Sequence, residues 1–484
     1  MNVQIFLTET HKHLEAKETE NIVLSYIVFI ATLLSAWIIL QHGIEKAMTW
    51  VWIPFFLVMP MEFAVNIPGL PDPNFMQAAI LPIVLVLLRE RSQELRFGRM
   101  ELLVIIYCVW RVYVDYLNRG YADAQNYAFY MLTALICPYI LGRYLINREE
   151  MDITVSRMYI AVMVLMFPLF LFELIFWISP IWKIFNRFFP EASTWHLLRY
   201  GLARTGGTFT HPILACIMIV IAYRLHKWLY WTGFYNRPQA GIMNNINNMT
   251  RLIPITLKTK LGIILILMAL MTISRGPWIG AFAGAALVAV GNFKNRWFWL
   301  KIYAIGIIFC GIIGFYALDV YTTPVAGQVL DEQVASMLYR KELMDRYMDY
   351  ILERMWTGWG LTRYPTVHGM PSIDNAWLFM ALQHGILAPA VFTVILIYAI
   401  ISQLKSGLRS QTGQTPIGFT FSGIYLMCLI SFTTVYMGGQ TEPMIFLLLG
   451  WGESIKNRNE KKLIQNNINV KQSELAKPFR NILT

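Results

Sequence analysis

The chain contains few charged residues and few cysteines for its length. Only 14% of its 484 residues are Asp, Glu, Lys or Arg, against about 25% in a typical soluble domain. Hydrophobic residues make up 56%, so too little polar material is left to cover a soluble protein of this size. A soluble enzyme, a nucleic-acid-binding domain and a disordered scaffold are therefore excluded.

The cysteines indicate neither a disulfide framework nor a metal site. None is in a CxxC pair and all lie in apolar segments, which is typical of small buried side chains. Neither a metal nor another cofactor is predicted. A cleavable signal peptide is not expected either, because residues 1–20 are polar. The cysteines are Cys108, Cys137, Cys216, Cys310 and Cys428.

Long apolar runs are abundant instead, and a helix needs about 20 apolar residues to cross a bilayer. The pattern predicts an all-α fold, a polytopic transmembrane helical bundle of about 12 spans (roughly 11–14), with amphipathic helices in a long outer-face loop. The 47–60 run is short and the 374–403 run is too long for one straight helix, so either is expected to be broken or re-entrant. The predicted spans cover roughly 22–40, 47–60, 75–88, 101–117, 126–142, 158–179, 211–224, 261–273, 277–291, 299–318, 374–403, 416–436 and 443–453.

Loop charges predict the orientation. Residues 89–99 and 224–260 are rich in Arg and Lys, whereas 61–74 and 437–442 contain neither, so the first two are expected in the cytoplasm and the others outside. The same rule explains the net charge of +11 without nucleic acid. The predicted division is a polar segment 1–20, transmembrane helices 21–318, a periplasmic loop 319–373, transmembrane helices 374–453 and a basic cytoplasmic tail 454–484.

Several arginines on the predicted outer face are not explained by orientation. Arg275 lies in a turn between two apolar helices, and Pro277 is suited to the first position of the following helix, with Ser274 or Gly276 as its cap. Free N–H groups at a helix start, together with an Arg, favour binding of phosphate or pyrophosphate; contact with lipid headgroups is the alternative. The outer arginines are Arg199, Arg204, Arg275, Arg340, Arg346, Arg354 and Arg363.

Two further arginines lie in distinctive contexts. Arg204 precedes two glycines, which would allow close backbone approach to a ligand or form a hinge. Arg340 falls on the apolar face of a predicted amphipathic helix, 332–354, together with Met337, Met344, Tyr347 and Ile351. It should bind either an anionic lipid group or a buried carboxylate. His211 is interpreted as a helix-start residue.

Acidic residues give a second set of expectations. Asp374 opens a predicted span, either as its N-cap or as a base above the outer cavity. Arg111 and Asp115 are four residues apart and are expected to form a structural pair. Glu442 is expected to cap the helix before Pro443, while Glu173 has no assigned role.

The order of these motifs resembles the superfamily of O-antigen ligases, O-antigen polymerases and exopolysaccharide polymerases. The similarity covers roughly residues 200–390 and the hydropathy layout. It is carried by Arg204-Thr-Gly-Gly-Thr, Ser274-Arg275-Gly276, Tyr339-Arg340, Gly358-Trp359-Gly360 and Asp374-Asn375-Ala376-Trp377-Leu378 leading to Gly385.

The resemblance implies metal-independent, inverting glycosyl transfer at the periplasmic face of the bacterial inner membrane. The donor would be a glycan on undecaprenyl pyrophosphate, with Arg204, Arg275 and Arg340 binding the pyrophosphate leaving group. Proteins that regulate chain length or export the polymer are further expected partners. In the ligases a His directly precedes the Asn of the motif corresponding to Asp374–Leu378, where this chain has Asp374. Its nearest His, His368, lies six residues earlier. Asp374 and His368 are therefore the candidate catalytic residues.

The missing His favours a polymerase that joins lipid-linked repeat units. Ligase-type transfer to lipid A-core or another acceptor is the first alternative. A lipid or polysaccharide transporter is the second, although transporters usually place charges near the bilayer midplane, and here the arginines concentrate at one face.

Overall fold

The protein is an all-α polytopic membrane protein. The computed structural model describes residues 24–67, 69–94, 96–190, 192, 198–199, 201–323, 332–370, 372–409 and 416–475. The polar segment predicted at 1–20 and the end of the tail from 476 lie outside these ranges. Within them, strands are limited to a short antiparallel hairpin of β1 (Leu198–Arg199) and β2 (Leu202–Ala203), besides one bridge between Ala64 and Asn74.

The helices of the first half follow the predicted apolar runs. A 3₁₀ turn, Tyr26–Phe29, leads into the first helix, and a π-helical stretch, Met48–Trp52, joins the two parts of the second. The short 47–60 run is thus part of a continuous helix. The helices are α1 (Ile30–His42), α2 (Ile44–Ala47 through Ile53–Val58), α3 (Phe75–Arg91), α4 (Arg99–Arg119), α5 (Tyr121–Leu145), α6 (Glu149–Phe176) and α7 (Pro180–Phe185).

The second half contains ten further helices in the described ranges. Five helices of the whole set, α5, α6, α8, α12 and α15, are long and apolar enough to cross a membrane, and shorter apolar helices accompany them. The helices are α8 (Pro212–Trp231), α9 (Ile242–Met249), α10 (Leu257–Met271), α11 (Arg275–Val290), α12 (Arg296–Thr322), α13 (Glu332–Glu353), α14 (Ala376–His384), α15 (Leu387–Leu408), α16 (Ile417–Ser431) and α17 (Thr441–Leu475).

The apolar run 374–403 is broken, as its length predicts. Gly385 separates α14 from α15 with φ of +73°, a conformation that costs glycine little. A Cβ at this position would lie 2.1 Å from the carbonyl oxygen of Trp356. The break therefore receives the 355–360 segment, whose backbone bonds to it through Ile386 N–H to Met355 and Trp359 N–H to Leu382.

Helices α11 and α16 pack with their backbones in close contact. A Cβ on Gly284 would lie 2.3 Å from the carbonyl oxygen of Gly423, and one on Gly280 would lie 2.8 Å from that of Met427. Small residues of this kind allow membrane helices to approach closely. This packing fixes the position of α11, which begins at Arg275.

A buried ion pair joins α4 to α17. Arg111 on α4 lies 2.5 Å from Glu442 on α17, and Tyr130 on α5 also donates to Glu442, at 2.8 Å. The predicted pair of Arg111 with Asp115 is wrong, since Asp115 pairs with Arg119 at 3.6 Å. The predicted capping role of Glu442 is also wrong, because its carboxylate is bound by Arg111 and Tyr130.

Helix α12 differs from the rest of the bundle, because its apolar span has no buried residue. Cys310 on this helix is exposed, which contradicts the expectation of five buried thiols; the other four are buried. At its end, Asp319 pairs with Lys341 of α13 at 2.5 Å. Helix α13 is thereby attached to the C-terminal end of α12.

Candidate functional site

Glu173 holds the glycine-containing loop that carries Arg204. Its two carboxylate oxygens accept the N–H groups of Gly206 at 3.2 Å and Gly207 at 2.6 Å. A Cβ on Gly207 would lie 2.3 Å from the ring of Phe170, so glycine is required there. Sequence reasoning found no role for Glu173, although its position in an apolar helix was a signal that it needed a partner.

Arg204 and Arg199 bind the turn in front of α11. The guanidinium of Arg204 donates to the carbonyl oxygen of Thr272 at 3.3 Å and to the hydroxyl of Ser274 at 3.2 Å. Arg199, from β1, donates to the carbonyl oxygen of Ile273 at 3.1 Å. Ile273 has φ of +46°, a strained conformation for a β-branched residue. Two arginines thus hold the turn that presents a third, Arg275.

The start of α11 differs in detail from the prediction. The helix begins at Arg275 with Ser274 as its N-cap, so Pro277 is not its first residue. The Ser274 side chain forms no capping bond, because its hydroxyl donates to Thr272 and accepts from Arg204. The first N–H groups of α11 are therefore not capped by Ser274.

Helix α13 brings Arg340 to the same place. Its buried face consists of Leu343, Tyr347 and Ile351, whereas Met344 is 43% exposed and does not belong to that face as predicted. Arg340 precedes Leu343 by one turn and is half-buried. Tyr339 bonds through its hydroxyl to both the N–H and the carbonyl of Ser372, which ties α13 to the segment before Asp374.

The charges of these side chains interact. Burial is the main effect on Arg204 and lowers its pKa to about 10; Arg199 and Arg340 lower it further, while Asp374 opposes them. Burial likewise lowers the pKa of Arg340. Arg199 and Arg275 lower it further, whereas Asp374 raises it. Arg204 and Arg340 are therefore within electrostatic range of each other, of Arg199 and of Asp374, and Arg275 is within range of Arg340. We call Arg199, Arg204, Arg275, Arg340 and Asp374 the arginine site.

Asp374 is not the cap of α14. That role belongs to Asn375, whose side-chain oxygen accepts the N–H groups of Trp377 at 3.0 Å and Leu378 at 3.2 Å. Asp374 is half-buried next to Asn375 and does not cap the helix. His368 is exposed, and the charges that act most strongly on Arg204 and Arg340 include Asp374 but not His368.

The other three arginines of the predicted outer face, Arg346, Arg354 and Arg363, have structural partners. Arg346 pairs with Glu342 at 3.3 Å, one turn away on α13. Arg354 lies 4.2 Å from the ring centre of Trp359 and also donates to the Asn118 side chain. Arg363 donates to the backbone of Asn118. Of the seven arginines predicted on the outer face, four form the arginine site, Arg354 and Arg363 bind Asn118 at the end of α4, and Arg346 pairs within its own helix.

A cleft of about 300 Å³ lies among the loop after α2, the start of α3 and α5. Its lining includes Glu62, which accepts a hydrogen bond from Thr210 at 2.6 Å. Burial raises the pKa of Glu62, and the pKa of Tyr436 is raised to about 12 by burial, with Glu62 and Asp374 acting in the same direction. Tyr436 therefore lies within electrostatic range of both Glu62 and Asp374. Sequence reasoning missed both residues, because nothing in their local spacing distinguishes them.

His211 caps α8, in agreement with its interpretation as a helix-start residue. Its Nδ1 accepts the N–H of Ile213 at 3.1 Å, and its ring contacts that of Tyr436 edge-on at 6.3 Å. Burial lowers the pKa of His211 to about 4, and Arg204 and Arg199 lower it further. The imidazole is therefore neutral at physiological pH and adds no charge to the arginine site.

The arrangement is suited to binding a multiply charged anion. Fixed guanidinium groups bind phosphate oxygens by charge-assisted hydrogen bonds, and a partly buried position strengthens them. Within the described ranges, no group of three or more His, Cys, Asp or Glu side chains is placed to hold a metal ion. The positive charge at the site comes from the arginines of the chain itself.

Comparison with known proteins supports the resemblance inferred from the motifs. The family model of the O-antigen ligases matches residues 261–393, a stretch that contains Arg275, Arg340 and Asp374, while Arg199 and Arg204 precede it. The match confirms similarity to the O-antigen ligase and polymerase superfamily and supports glycan transfer of ligase or polymerase type. No curated protein matches the chain.

Proposed function

We propose that this protein polymerises lipid-linked oligosaccharide repeat units at the outer face of the bacterial inner membrane. The observation that carries the proposal is that Arg199 and Arg204 bind the turn before Arg275, within electrostatic range of Arg340 and Asp374. The donor is a glycan on undecaprenyl pyrophosphate, whose phosphates bind the four guanidinium groups. The match to the O-antigen ligase family supports the reaction class.

In the proposed reaction, a hydroxyl oxygen of the acceptor sugar attacks the anomeric carbon of the donor. The new bond is carbon–oxygen, and the bond from the anomeric carbon to the pyrophosphate oxygen breaks with inversion. The electron pair of that bond leaves with the lipid pyrophosphate, where negative charge develops. Guanidinium groups fixed in advance stabilise this charge more in the transition state than in the bound donor.

Asp374 is the proposed acceptor of the hydroxyl proton. Its charge acts on both Arg204 and Arg340, and its side chain does not cap α14, because Asn375 does so. His368 is the weaker candidate, because it is exposed on the turn before this segment. Asp374 occupies the position where the ligases have a His, which is why a polymerase is preferred to a ligase.

The test is reconstitution of the full-length protein with an undecaprenyl-pyrophosphate-linked oligosaccharide, with products separated by size. A ladder of lengthening chains is expected. Arg275→Ala should lower the rate on the order of a hundredfold, the loss found when one preorganised donor to a developing charge is removed. The matched control is Arg346→Ala, an exposed arginine paired with Glu342, which should leave the ladder unchanged.

Other outcomes separate the alternatives. One glycan added per acceptor would indicate a ligase, and no transfer by a folded protein would favour a transporter. Full activity in Asp374→Asn would exclude Asp374 as the base and leave His368 as the candidate base.

A further inference from the structure

A second charged pocket lies at the end of the bundle opposite the arginine site. It is a cavity of about 330 Å³ between the start of α4, the end of α15 and the middle of α17. The residues relevant here are Arg99, Ser402, Lys405, Arg409, Lys456 and Glu460. None of them takes part in the proposed glycan transfer.

The positive charge of this pocket exceeds its negative charge. Lys456 is compensated by Glu453, at 3.1 Å. In the described part of the chain, no carboxylate forms an ion pair with Arg99, Lys405 or Arg409, all three of which are exposed. Glu460 is the carboxylate in the lining, so three cations face one anion. The pocket is therefore complementary to a negatively charged group.

A hydroxyl inside the pocket also lacks a protein partner. The Oγ of Ser402 is buried and has no hydrogen-bond partner among the described residues. Buried polar atoms are normally satisfied by protein, water or ligand. Ser402 lies one turn before Lys405 and Ser406 on α15, so its hydroxyl can donate to an oxygen bound by the cations.

Two apolar stripes run from the cations along the membrane-facing surface. On α4, Leu102, Ile106 and Val109 are exposed and follow Arg99 at helical spacing. On α15, Val394, Ile397 and Ile401 are exposed and lead at the same spacing to Lys405. Each stripe extends over about two turns, roughly 10 Å of helix. A ligand that covers both stripes and the cations must be amphipathic.

We propose that this groove binds an anionic phospholipid. Its phosphate lies among Arg99, Lys405 and Arg409 and accepts a hydrogen bond from Ser402, while its acyl chains cover the stripes on α4 and α15. Basic pockets between transmembrane helices suit such headgroups, since each nearby cation strengthens the attraction. A free phosphate ion would satisfy the cations but leave the stripes without a partner, so the lipid is favoured.

The experiment is native mass spectrometry of the full-length protein in detergent, supplied with an equimolar mixture of phosphatidylethanolamine, phosphatidylglycerol and cardiolipin. The wild type should retain the two anionic lipids in preference to phosphatidylethanolamine. Arg99→Gln/Lys405→Gln/Arg409→Gln should reduce that preference by about tenfold or more, because three attractive charges are lost. Phosphatidylethanolamine retention should not change.

The matched control is Arg237→Gln/Arg251→Gln/Lys294→Gln, which removes three exposed cations elsewhere. It should bind lipid as the wild type does. Equal losses in both triple variants would overturn the proposal in favour of general charge attraction. Unchanged retention in the Arg99 triple variant would also overturn it.

A further arm distinguishes the source of the phosphate. Inorganic phosphate should not displace the bound lipid or raise the melting temperature as the lipid does. If it did both, the groove would be an anion site and the lipid assignment would be wrong. Lys405→Glu, a single exposed substitution, repeats the measurement if the triple variant fails to fold. None of these results depends on the outcome of the glycan-transfer assay.

Discussion

At the scale of single residues, Glu173 shows how the arginine site depends on a residue outside it. The carboxylate bonds to two consecutive backbone N–H groups, Gly206 and Gly207, within the loop that carries Arg204. Arg204 in turn bonds to the turn before Arg275. The position of two cations therefore rests on one buried acid.

We expect Glu173→Gln to destabilise the protein and to weaken donor binding. Glutamine offers one acceptor oxygen, so one of the two N–H groups would face the amide NH₂ and lose its bond. Loss of a hydrogen bond to a charged partner costs about 1.5–3 kcal/mol. The measurements are thermal unfolding in detergent and the KM for the lipid-linked donor. Glu150→Gln, an exposed acid on the same helix, is the control and should alter neither.

His211 provides a prediction about pH. Its pKa falls from 6.5 in the unfolded chain to about 4 in the folded protein, so below pH 6.5 the unfolded state binds the proton first. Its contribution to stability is complete above 6.5 and is lost as the pH falls towards 4. His211→Asn retains a capping side chain and should make unfolding temperatures less dependent on pH in this range.

The exposed His368 supplies the control for this experiment. His368→Asn should leave the pH dependence as it is in the wild type. If His211→Asn and the wild type lost stability equally between pH 6.5 and 4, the buried neutral state of His211 would be contradicted.

The sequence predicted Arg204, Arg275, Arg340 and Asp374 as candidates, and the structure brings them together, with their roles still to be tested. It did not predict the contribution of Arg199, nor those of Glu62 and Tyr436. These residues come from separate connections, and their proximity depends on tertiary packing. The mistaken pairing of Arg111 with Asp115 also results from tertiary packing. A four-residue spacing shows only that two side chains can meet, and the actual partner, Glu442, is 331 residues away in the sequence.

At the scale of helices, the glycines of α11 determine how closely that helix approaches α16. A methyl group on Gly284 would meet the Gly423 carbonyl oxygen at 2.3 Å, and backbone cannot move aside as a flexible side chain can. Gly284→Ala should therefore separate the helices, move Arg275 and destabilise the protein by about 1–3 kcal/mol, the cost of overpacking a close contact.

Gly306→Ala is the matched control, since no atom lies within 4 Å of the position that its methyl would take on α12. That variant should be neutral in thermal unfolding. Wild-type unfolding temperature and activity in Gly284→Ala would mean that the approach of α11 to α16 is not fixed by the glycine.

The existence of most helices could be predicted, because apolar length alone indicates a span. The break in the 374–403 run was also predictable from its length. The π-helical stretch in α2 was not, since no residue there marks it. The capping pattern was only partly predictable: Asn375 rather than Asp374 caps α14, as both residues are good caps and only the geometry of the preceding turn decides between them.

At the scale of the whole molecule, the pair of Arg111 and Glu442 connects α4 and α5 with α17. Arg111→Met should cost about 3–5 kcal/mol, because it leaves a buried carboxylate without its cation. The double variant Arg111→Met/Glu442→Leu should be more stable than either single variant, since no uncompensated charge remains. Thermal unfolding of the four proteins in detergent measures this coupling. Strictly additive losses would show that the pair is not coupled.

The lack of buried residues in the apolar span of α12 should affect how fast its sequence changes during evolution. No residue of its apolar span is buried inside the protein. A change from one apolar residue to another there leaves no cavity and creates no clash, so selection acts on hydrophobicity alone. Related chains should therefore diverge freely along α12, while Gly280 and Gly284 of α11, one connection earlier, should vary little, because a larger residue there would meet the backbone of α16. Helices α11 and α12, which are adjacent and similar in composition, should thus differ strongly in their rates of amino-acid substitution.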